Sequence, residues 1–160
     1  MHDPAMSPPD AATDPYAALE HELRIIIRRA QSAAAQLAKR IHPELEASAY
    51  PLLAHISMHP GTRGSDLAAH FGIGRATVSR QLSRLVALGL VRREVDPEDT
   101  RGQRITLTED GAARFERARA ARVENLHEIL AEWEREDITQ LASLMHRYSE
   151  SFVRWRDARS

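Results

Sequence analysis

The chain has 160 residues and a formal net charge of −1, and 42% of its residues are hydrophobic while 28% are charged. This composition is typical of a globular protein, and no apolar run approaches the roughly 18 residues that a membrane span needs, because residues 25–27 are followed at once by Arg28 and Arg29. The absence of cysteine excludes disulfides, thiolate metal sites and thiol-based peroxide sensing.

Residues 1–15 are predicted to form a disordered lead-in. Prolines recur there at positions 4, 8, 9 and 15, and the segment has almost nothing to bury. It contains neither the basic region nor the apolar stretch of a secretion signal. We therefore expect a cytoplasmic protein.

Two helices are predicted next. The first begins after Pro15 and ends at Pro43, since apolar residues recur in it at steps of three and four. The second starts near Ser48, whose hydroxyl can cap it, carries Pro51 in its first turn and stops before Pro60.

A helix-turn-helix is predicted in the following segment. Ala68 supplies the small residue where two helices cross, Gly72 tolerates a positive φ in the turn, and Val78 is the apolar anchor of the second helix. Residues 61–107 hold 8 basic and 5 acidic side chains. The positive charge of this nearly neutral chain is therefore local, which favours one basic surface that meets phosphates.

The second helix has two distinct faces. At about 100° per residue, Val78, Leu82 and Leu85 share one face, while Ala76, Arg80, Ser83 and Arg84 lie opposite. No acid occurs between residues 74 and 88, so we interpret the polar face as a surface that reads a DNA groove rather than as an ordinary solvated face. The candidate DNA contacts in this region are Arg63, Ser65, Arg75, Ala76, Thr77, Ser79, Arg80, Ser83 and Arg84.

A β-hairpin is predicted to follow. Residues 91–95 form one strand and residues 104–107 its antiparallel return. Asp99, Arg101 and Gly102 in the turn are candidate DNA contacts. We expect the Asp99 carboxylate to hold the Arg101 guanidinium extended toward a narrow minor groove, although a plain surface ion pair is the alternative.

Two long amphipathic helices are predicted after Thr108. One carries Phe115 and Trp133, and the other repeats apolar residues from Ile138 to Trp155 at near-heptad spacing. A small hairpin module cannot cover the apolar faces of these two helices. We therefore expect the terminal helices to pack on each other and on those of a second subunit.

The run from Ser65 to Gly111 closely resembles the MarR family of winged-helix regulators. The resemblance lies in residues 96–99, in Arg101 and in the segment 107–111. It implies a homodimer joined by the terminal helices, with residues 74–88 in the major groove and the wing around Asp99 and Arg101 on the minor groove. The sequence departs from the family at two helix starts. Gly74 stands where members often have a hydroxyl residue that caps the second helix of the helix-turn-helix, and Arg63 stands where they often cap the preceding helix with threonine. Arg63 suggests an extra contact to a backbone phosphate.

The predicted fold class is therefore mainly α with a small β-hairpin wing, a winged helix-turn-helix combined with a helical dimerisation domain. Residues 46–107 are assigned to the DNA-binding domain, and residues 16–45 and 108–158 to dimerisation. The predicted function is a transcriptional regulator, homodimeric and specific for a pseudopalindromic site in double-stranded DNA. A winged-helix module that binds only proteins is the rival. No phosphate loop or nucleophile motif is present, so neither enzyme activity nor a cofactor is predicted.

The resemblance also implies repression that is released by a small aromatic or phenolic anion. The candidate ligand residues on the short helix are Tyr50, His55, Met58 and His59, for which core packing is an equally good explanation. His55 and His59 also have the i, i+4 spacing of two metal ligands, with His21 and His42 as possible additions. Without cysteine or a carboxylate in register we predict no metal site, and a zinc-responsive regulator of the same fold is the alternative.

Overall fold

The computed structural model describes residues 14–97, 100 and 102–159. Nearly all of the predicted lead-in, as well as Asp99 and Arg101 of the wing, lie outside the described residues. The helices are α1 (Pro15–Ile41), α2 (Ala49–Met58), α3 (Gly64–Phe71), α4 (Arg75–Ala87), α5 (Glu109–Ile129) and α6 (Arg135–Asp157), and the strands are β1 (Thr62–Arg63), β2 (Val91–Val95) and β3 (Gln103–Leu107). The predicted fold class, mainly α with a small hairpin, is confirmed. No helix in this part of the chain is both long and apolar enough to cross a membrane.

The sheet has a third strand that was not predicted. Its order is β1-β3-β2, and both pairings are antiparallel. Thr62 lies opposite Ile105, and Val91 lies opposite Leu107. Gly61 enters β1 with a φ of 83°, which a residue with a side chain rarely adopts. The two-residue strand ties the start of α3 to the hairpin.

The hydrophobic core joins the end of α1, α2, the two helices of the helix-turn-helix, the sheet and the first half of α5. Its larger members are Leu37, Ile41, Leu45, Leu52, Leu53, Ile56, Leu67, Val78, Leu82, Leu85, Leu90, Val91, Ile105 and Phe115. The three buried residues of α4 are Val78, Leu82 and Leu85, so the predicted apolar face of this helix is confirmed. The opposite face of α4 is consequently turned to solvent.

The helix termini agree with the predictions at one position and differ at another. Gly72 closes α3 in the left-handed conformation, with a φ of 63°, as the turn requires. Ser48 precedes α2 but makes no capping hydrogen bond with its side chain, so that prediction was wrong. Its hydroxyl instead accepts a hydrogen bond from Nε2 of Gln81, at 3.0 Å. A contact from a distant helix therefore replaced the local cap.

The N-terminus of α5 packs directly on the chain that enters β2. The backbone N–H of Thr108 donates to the carbonyl of Leu90 (3.0 Å), and the Thr108 hydroxyl accepts from the N–H of Gly111 (2.9 Å). A Cβ placed on Gly111 would lie 2.0 Å from the Leu90 carbonyl oxygen. The helix can approach this closely only because position 111 has no side chain.

The described chain divides into two compact units, the first ending at Arg119 and the second beginning at Ala120. Phe115 and Ala118 of α5 are buried in the core of the first unit. In the second unit, no residue of α6 is buried within the described segment 135–157. Tyr148, Phe152 and Trp155 each expose about half of their surface. The predicted assignment of residues 16–45 and 108–158 to dimerisation stays a prediction.

We expect Gly111→Ala to lower the free energy of unfolding by about 3 kcal/mol, because the added methyl group meets backbone rather than a movable side chain. Chemical denaturation measures the change. Gly64→Ala is the matched control, since a Cβ there would make an ordinary contact, 3.6 Å from Cδ1 of Leu82. Equal stability of the Gly111→Ala and Gly64→Ala variants would contradict the close packing at Leu90.

Candidate nucleic-acid interface

The exposed face of α4 carries three arginines that differ in their contacts. The side chains of Arg75 and Arg80 are exposed and make no hydrogen bond or ion pair with any described residue. Arg84 lies one turn after Arg80 and is ion-paired with Glu44. Ala76 is exposed beside them, and its small side chain allows another molecule to approach the helix closely.

An arginine that was not among the predicted contacts joins the hairpin to α4. Arg93 of β2 donates through Nη2 to the carbonyl of Ser79 (3.3 Å) and to Oγ of Ser83 (3.0 Å). The Ser83 hydroxyl itself donates to the Ser79 carbonyl (2.9 Å). Alternation along β2 was the available signal, since it places Arg93 on the same face as the buried Val91.

A second junction lies at the base of the hairpin. The Asp96 carboxylate is completely buried. It accepts a hydrogen bond from Nε of Arg63 (2.9 Å) and is ion-paired with Nε of Arg104 at 3.0 Å. Charge-assisted contacts from these two arginines, which lie opposite each other on the paired strands β1 and β3, compensate for removing this carboxylate from water. The base of the hairpin is thereby joined to the residue that precedes α3.

Arg63 makes structural contacts through both its backbone and its side chain. Its backbone N–H donates to Oδ2 of Asp66 (3.4 Å), which satisfies one donor at the start of α3. Its guanidinium is engaged by Asp96, and about a third of its side chain stays exposed. The predicted phosphate contact of Arg63 stays a prediction, and any such contact would come from a side chain already used to anchor the hairpin.

A cleft of about 550 Å³ lies between α4 and the sheet. It brings together several of the predicted DNA contacts. Arg63, Ser65, Arg75, Ser79 and Gly102 line it, together with Arg93. The guanidinium groups of Arg75 and Arg93 border the cleft without an acidic partner among the described residues, so its charge suits an anion, whereas Asp96 balances the charge of Arg63. Ala76, Thr77, Arg80, Ser83 and Arg84 are not part of its lining, and Arg80 and Arg84 instead border a separate pocket beside the loop that follows α1.

The four candidate ligand residues of α2 and its C-terminal cap, His59, do not form one site. Tyr50 is buried, and its ring packs on that of Phe115, with 5.6 Å between the centroids. Met58 is largely exposed. His55 and His59 do lie together, with ring centroids 4.5 Å apart. Tyr50 is therefore part of the core and separate from the histidines.

His55 also contacts α3, where its ring centroid is 4.3 Å from that of His70 and 5.8 Å from that of Phe71. We call His55, His59, His70 and Phe71 the ring cluster. Within the described part of the chain, no group of three or more His, Cys, Asp or Glu residues could hold a metal ion. His21 contacts Arg24, and His42 accepts from the N–H of Glu44, so neither supplements the cluster.

Burial lowers the pKa of His55 below its ordinary value, and the neighbouring His70 and His59 lower it further. Asp66 acts in the opposite direction but more weakly. The folded domain therefore favours neutral His55, since a protonated ring would be both desolvated and close to two other imidazoles.

Comparisons with known proteins agree on one group of proteins. Residues 44–102 match the family model described as MarR family. The uncharacterized HTH-type transcriptional regulator YxaD of Bacillus subtilis (strain 168) is 31% identical over 140 residues, which cover 88% of this chain and 96% of YxaD. A crystal structure of MarR, 23% identical, superposes with a TM-score of 0.75 and covers 94% of this chain and 98% of that one. A probable transcriptional regulator from Pseudomonas aeruginosa is 26% identical, with a TM-score of 0.60 and coverage of 81% and 98%.

We expect Asp96→Asn to lower the free energy of unfolding by about 3 kcal/mol, because Arg63 and Arg104 lose the charge that they share. Urea unfolding measures the change. Glu94→Gln is the control, since Glu94 pairs with Arg92 on the exposed surface of the hairpin, and we expect less than about 1 kcal/mol there. Equal losses in the two variants would mean that Asp96 does not anchor the hairpin.

Stability is expected to fall as the pH drops through about 6.5, the ordinary pKa of histidine. The reason is that the unfolded chain then binds a proton at His55 that the folded domain resists. Unfolding midpoints measured from about pH 7.5 down to about pH 5.5 test this. His55→Gln should flatten the dependence, whereas His127→Gln, which changes an exposed histidine on α5, should not. Identical pH profiles for wild type and His55→Gln would refute the assignment.

Proposed function

The chain belongs to the MarR family of transcriptional regulators, and from this premise we propose that it is a homodimer that binds double-stranded DNA in a sequence-specific manner. The observation that carries the proposal is the exposed face of α4, where Arg75 and Arg80 have no partner among the described residues. Unpaired guanidinium groups on a helix that presents no acid have the chemistry to meet phosphates and guanine edges.

We propose that α4 is the recognition helix and lies in the major groove. Arg80, near the middle of the exposed face, grips guanine O6 and N7 with two hydrogen bonds, and Ala76 lets the helix approach. Arg75 contacts a base or a phosphate at the N-terminal end of the helix, while Thr77 and Ser79 serve backbone or base edges. Ser65 at the start of α3 is a further candidate for a phosphate contact.

The proposed second contact is the wing in the minor groove. Gly102 borders the cleft beside α4, which supports a wing that faces the same DNA as the reading helix. Asp99 and Arg101 lie outside the described residues, and their role rests on the sequence. Arg93 joins the hairpin to α4, and Asp96 joins it to Arg63 before α3, so a duplex would meet a wing whose position is already set.

Dimerisation is supported by the apolar surface of the second unit. The exposed apolar residues of α6 are Leu141, Leu144, Met145, Tyr148, Phe152, Val153 and Trp155. A contiguous surface of this kind is rarely left in water, and the same helix of a second copy would cover it. A two-fold dimer implies a pseudopalindromic site with half-sites about one helical turn, or roughly 10 base pairs, apart.

We further propose that the regulator is a repressor that a small aromatic anion releases from DNA. The ring cluster supports this, because its imidazole and phenyl rings can stack on an aromatic ligand and the imidazole N–H groups can donate hydrogen bonds to an anion. The described residues offer no metal-holding group in support of the zinc alternative. The partnerless arginines of α4 favour DNA over a purely protein-binding role.

Replacing Arg80 by Ala should weaken specific binding by about 1–3 kcal/mol and relax discrimination at one base pair, because a bidentate contact to guanine is lost. Gel-shift titration against DNA upstream of the protein's own gene, with single-base variants of the bound site, measures both effects. Arg117→Ala is the control, since Arg117 is an exposed arginine on α5, outside the helix-turn-helix.

An Arg80→Ala variant that keeps wild-type affinity and the same base preference would contradict the proposed contact of Arg80 with a base. The same titration, repeated with aromatic acids and with zinc, identifies which class of ligand releases the complex.

A further inference from the structure

The loop between α1 and α2 touches the DNA-facing helix at two points. The Arg84 guanidinium donates to Oε2 of Glu44. Nε2 of Gln81, three residues earlier on α4, donates to Oγ of Ser48 at 3.0 Å. Gln81 and Arg84 lie on neighbouring positions of the helix surface, since they are three residues apart. An acidic and a neutral contact therefore hold the loop along the same edge of α4.

The backbone of this loop is fixed independently of the ion pair. Leu45, next to Glu44, is buried in the core. Its N–H donates to the His42 carbonyl at 3.0 Å, and the N–H of Glu44 donates to Nδ1 of His42 at 3.2 Å. The Glu44 carboxylate consequently stays close to Arg84 even when the ion pair opens, which gives it a high effective concentration there.

The pair itself is accessible to solvent, since the Arg84 and Glu44 side chains are 54% and 57% exposed. Exposed ion pairs are weak and exchange readily. A phosphate oxygen offers Arg84 the same kind of acceptor that the Glu44 carboxylate offers. Arg84 is thus occupied in the free protein, whereas Arg75 and Arg80 of the same helix have no partner among the described residues.

We propose that Glu44 is a built-in competitor of DNA phosphate at Arg84, an autoinhibitory contact that limits how strongly the protein holds any duplex. This inference rests on the proposed DNA-binding function. A phosphate that takes the place of the Glu44 carboxylate at Nη2 of Arg84 must first displace it, so part of the free energy of that phosphate contact goes into breaking the ion pair. Removing the carboxylate releases Arg84 for the duplex.

The test compares Glu44→Gln with Glu46→Gln. Both variants lose one negative charge from the same loop, but the exposed Glu46 side chain makes no ion pair within the described residues. A fluorescently labelled mixed-sequence duplex is the probe, because its binding depends on phosphate contacts. Affinity is measured by anisotropy over a series of salt concentrations with the full chain.

Glu44→Gln should bind the duplex about two- to fivefold more tightly than wild type, as expected for the release of an exposed ion pair. Its salt dependence should steepen by up to about 0.9 units of slope, since one more phosphate is neutralised. Glu46→Gln should show a smaller gain. In an Arg84→Ala background, Glu44→Gln should gain no more than Glu46→Gln does.

Two results would overturn the inference while leaving the proposed function intact. One is equal gains for Glu44→Gln and Glu46→Gln, which would mean that only total charge matters. The other is weaker binding by Glu44→Gln, which would mean that Glu44 orients Arg84 for DNA. If wild type shows no salt-dependent binding to any duplex, the proposed function itself fails and the inference with it. Thermal unfolding confirms that each variant is folded, and Glu44→Ala repeats the test by an independent substitution.

Discussion

A buried carboxylate in contact with two arginines is the interaction on which the proposed DNA-facing surface depends. Asp96 links Arg104 of the sheet to Arg63, the residue before α3. Removing one charged member of such a group leaves the charges of the other members unbalanced in a partly desolvated environment. Arg93 adds a second connection from the hairpin to α4. Charged hydrogen bonds, together with apolar packing, thus set the position of the hairpin relative to α4.

The arginines of this region divide into distinct groups. Arg63, Arg93 and Arg104 hold elements of the protein together, whereas Arg75 and Arg80 extend from α4 without a partner among the described residues. Counting positive charges along the sequence therefore overstates the charge offered to a nucleic acid. The positive charge available to DNA on the proposed surface is therefore limited to the guanidinium groups that make no contact within the protein.

Local patterns predicted the elements that carry the site. Helical periodicity placed Val78, Leu82 and Leu85 on the inner face of α4, and the requirement for a positive φ identified Gly72. Contacts between distant residues were beyond such patterns. β1 is only two residues long, Ser48 accepts from Gln81 instead of capping α2, and Asp96 meets Arg63 across 33 positions. Each depends on how elements pack, which periodicity does not report.

The glycine at the start of α5 has a genetic consequence. Every single-nucleotide missense change in a glycine codon introduces an amino acid with at least a Cβ, and at Gly111 that atom would overlap the Leu90 carbonyl. No missense allele of this codon is conservative. The position is therefore expected to tolerate little natural variation, because its role is to let a helix lie against the chain that enters β2.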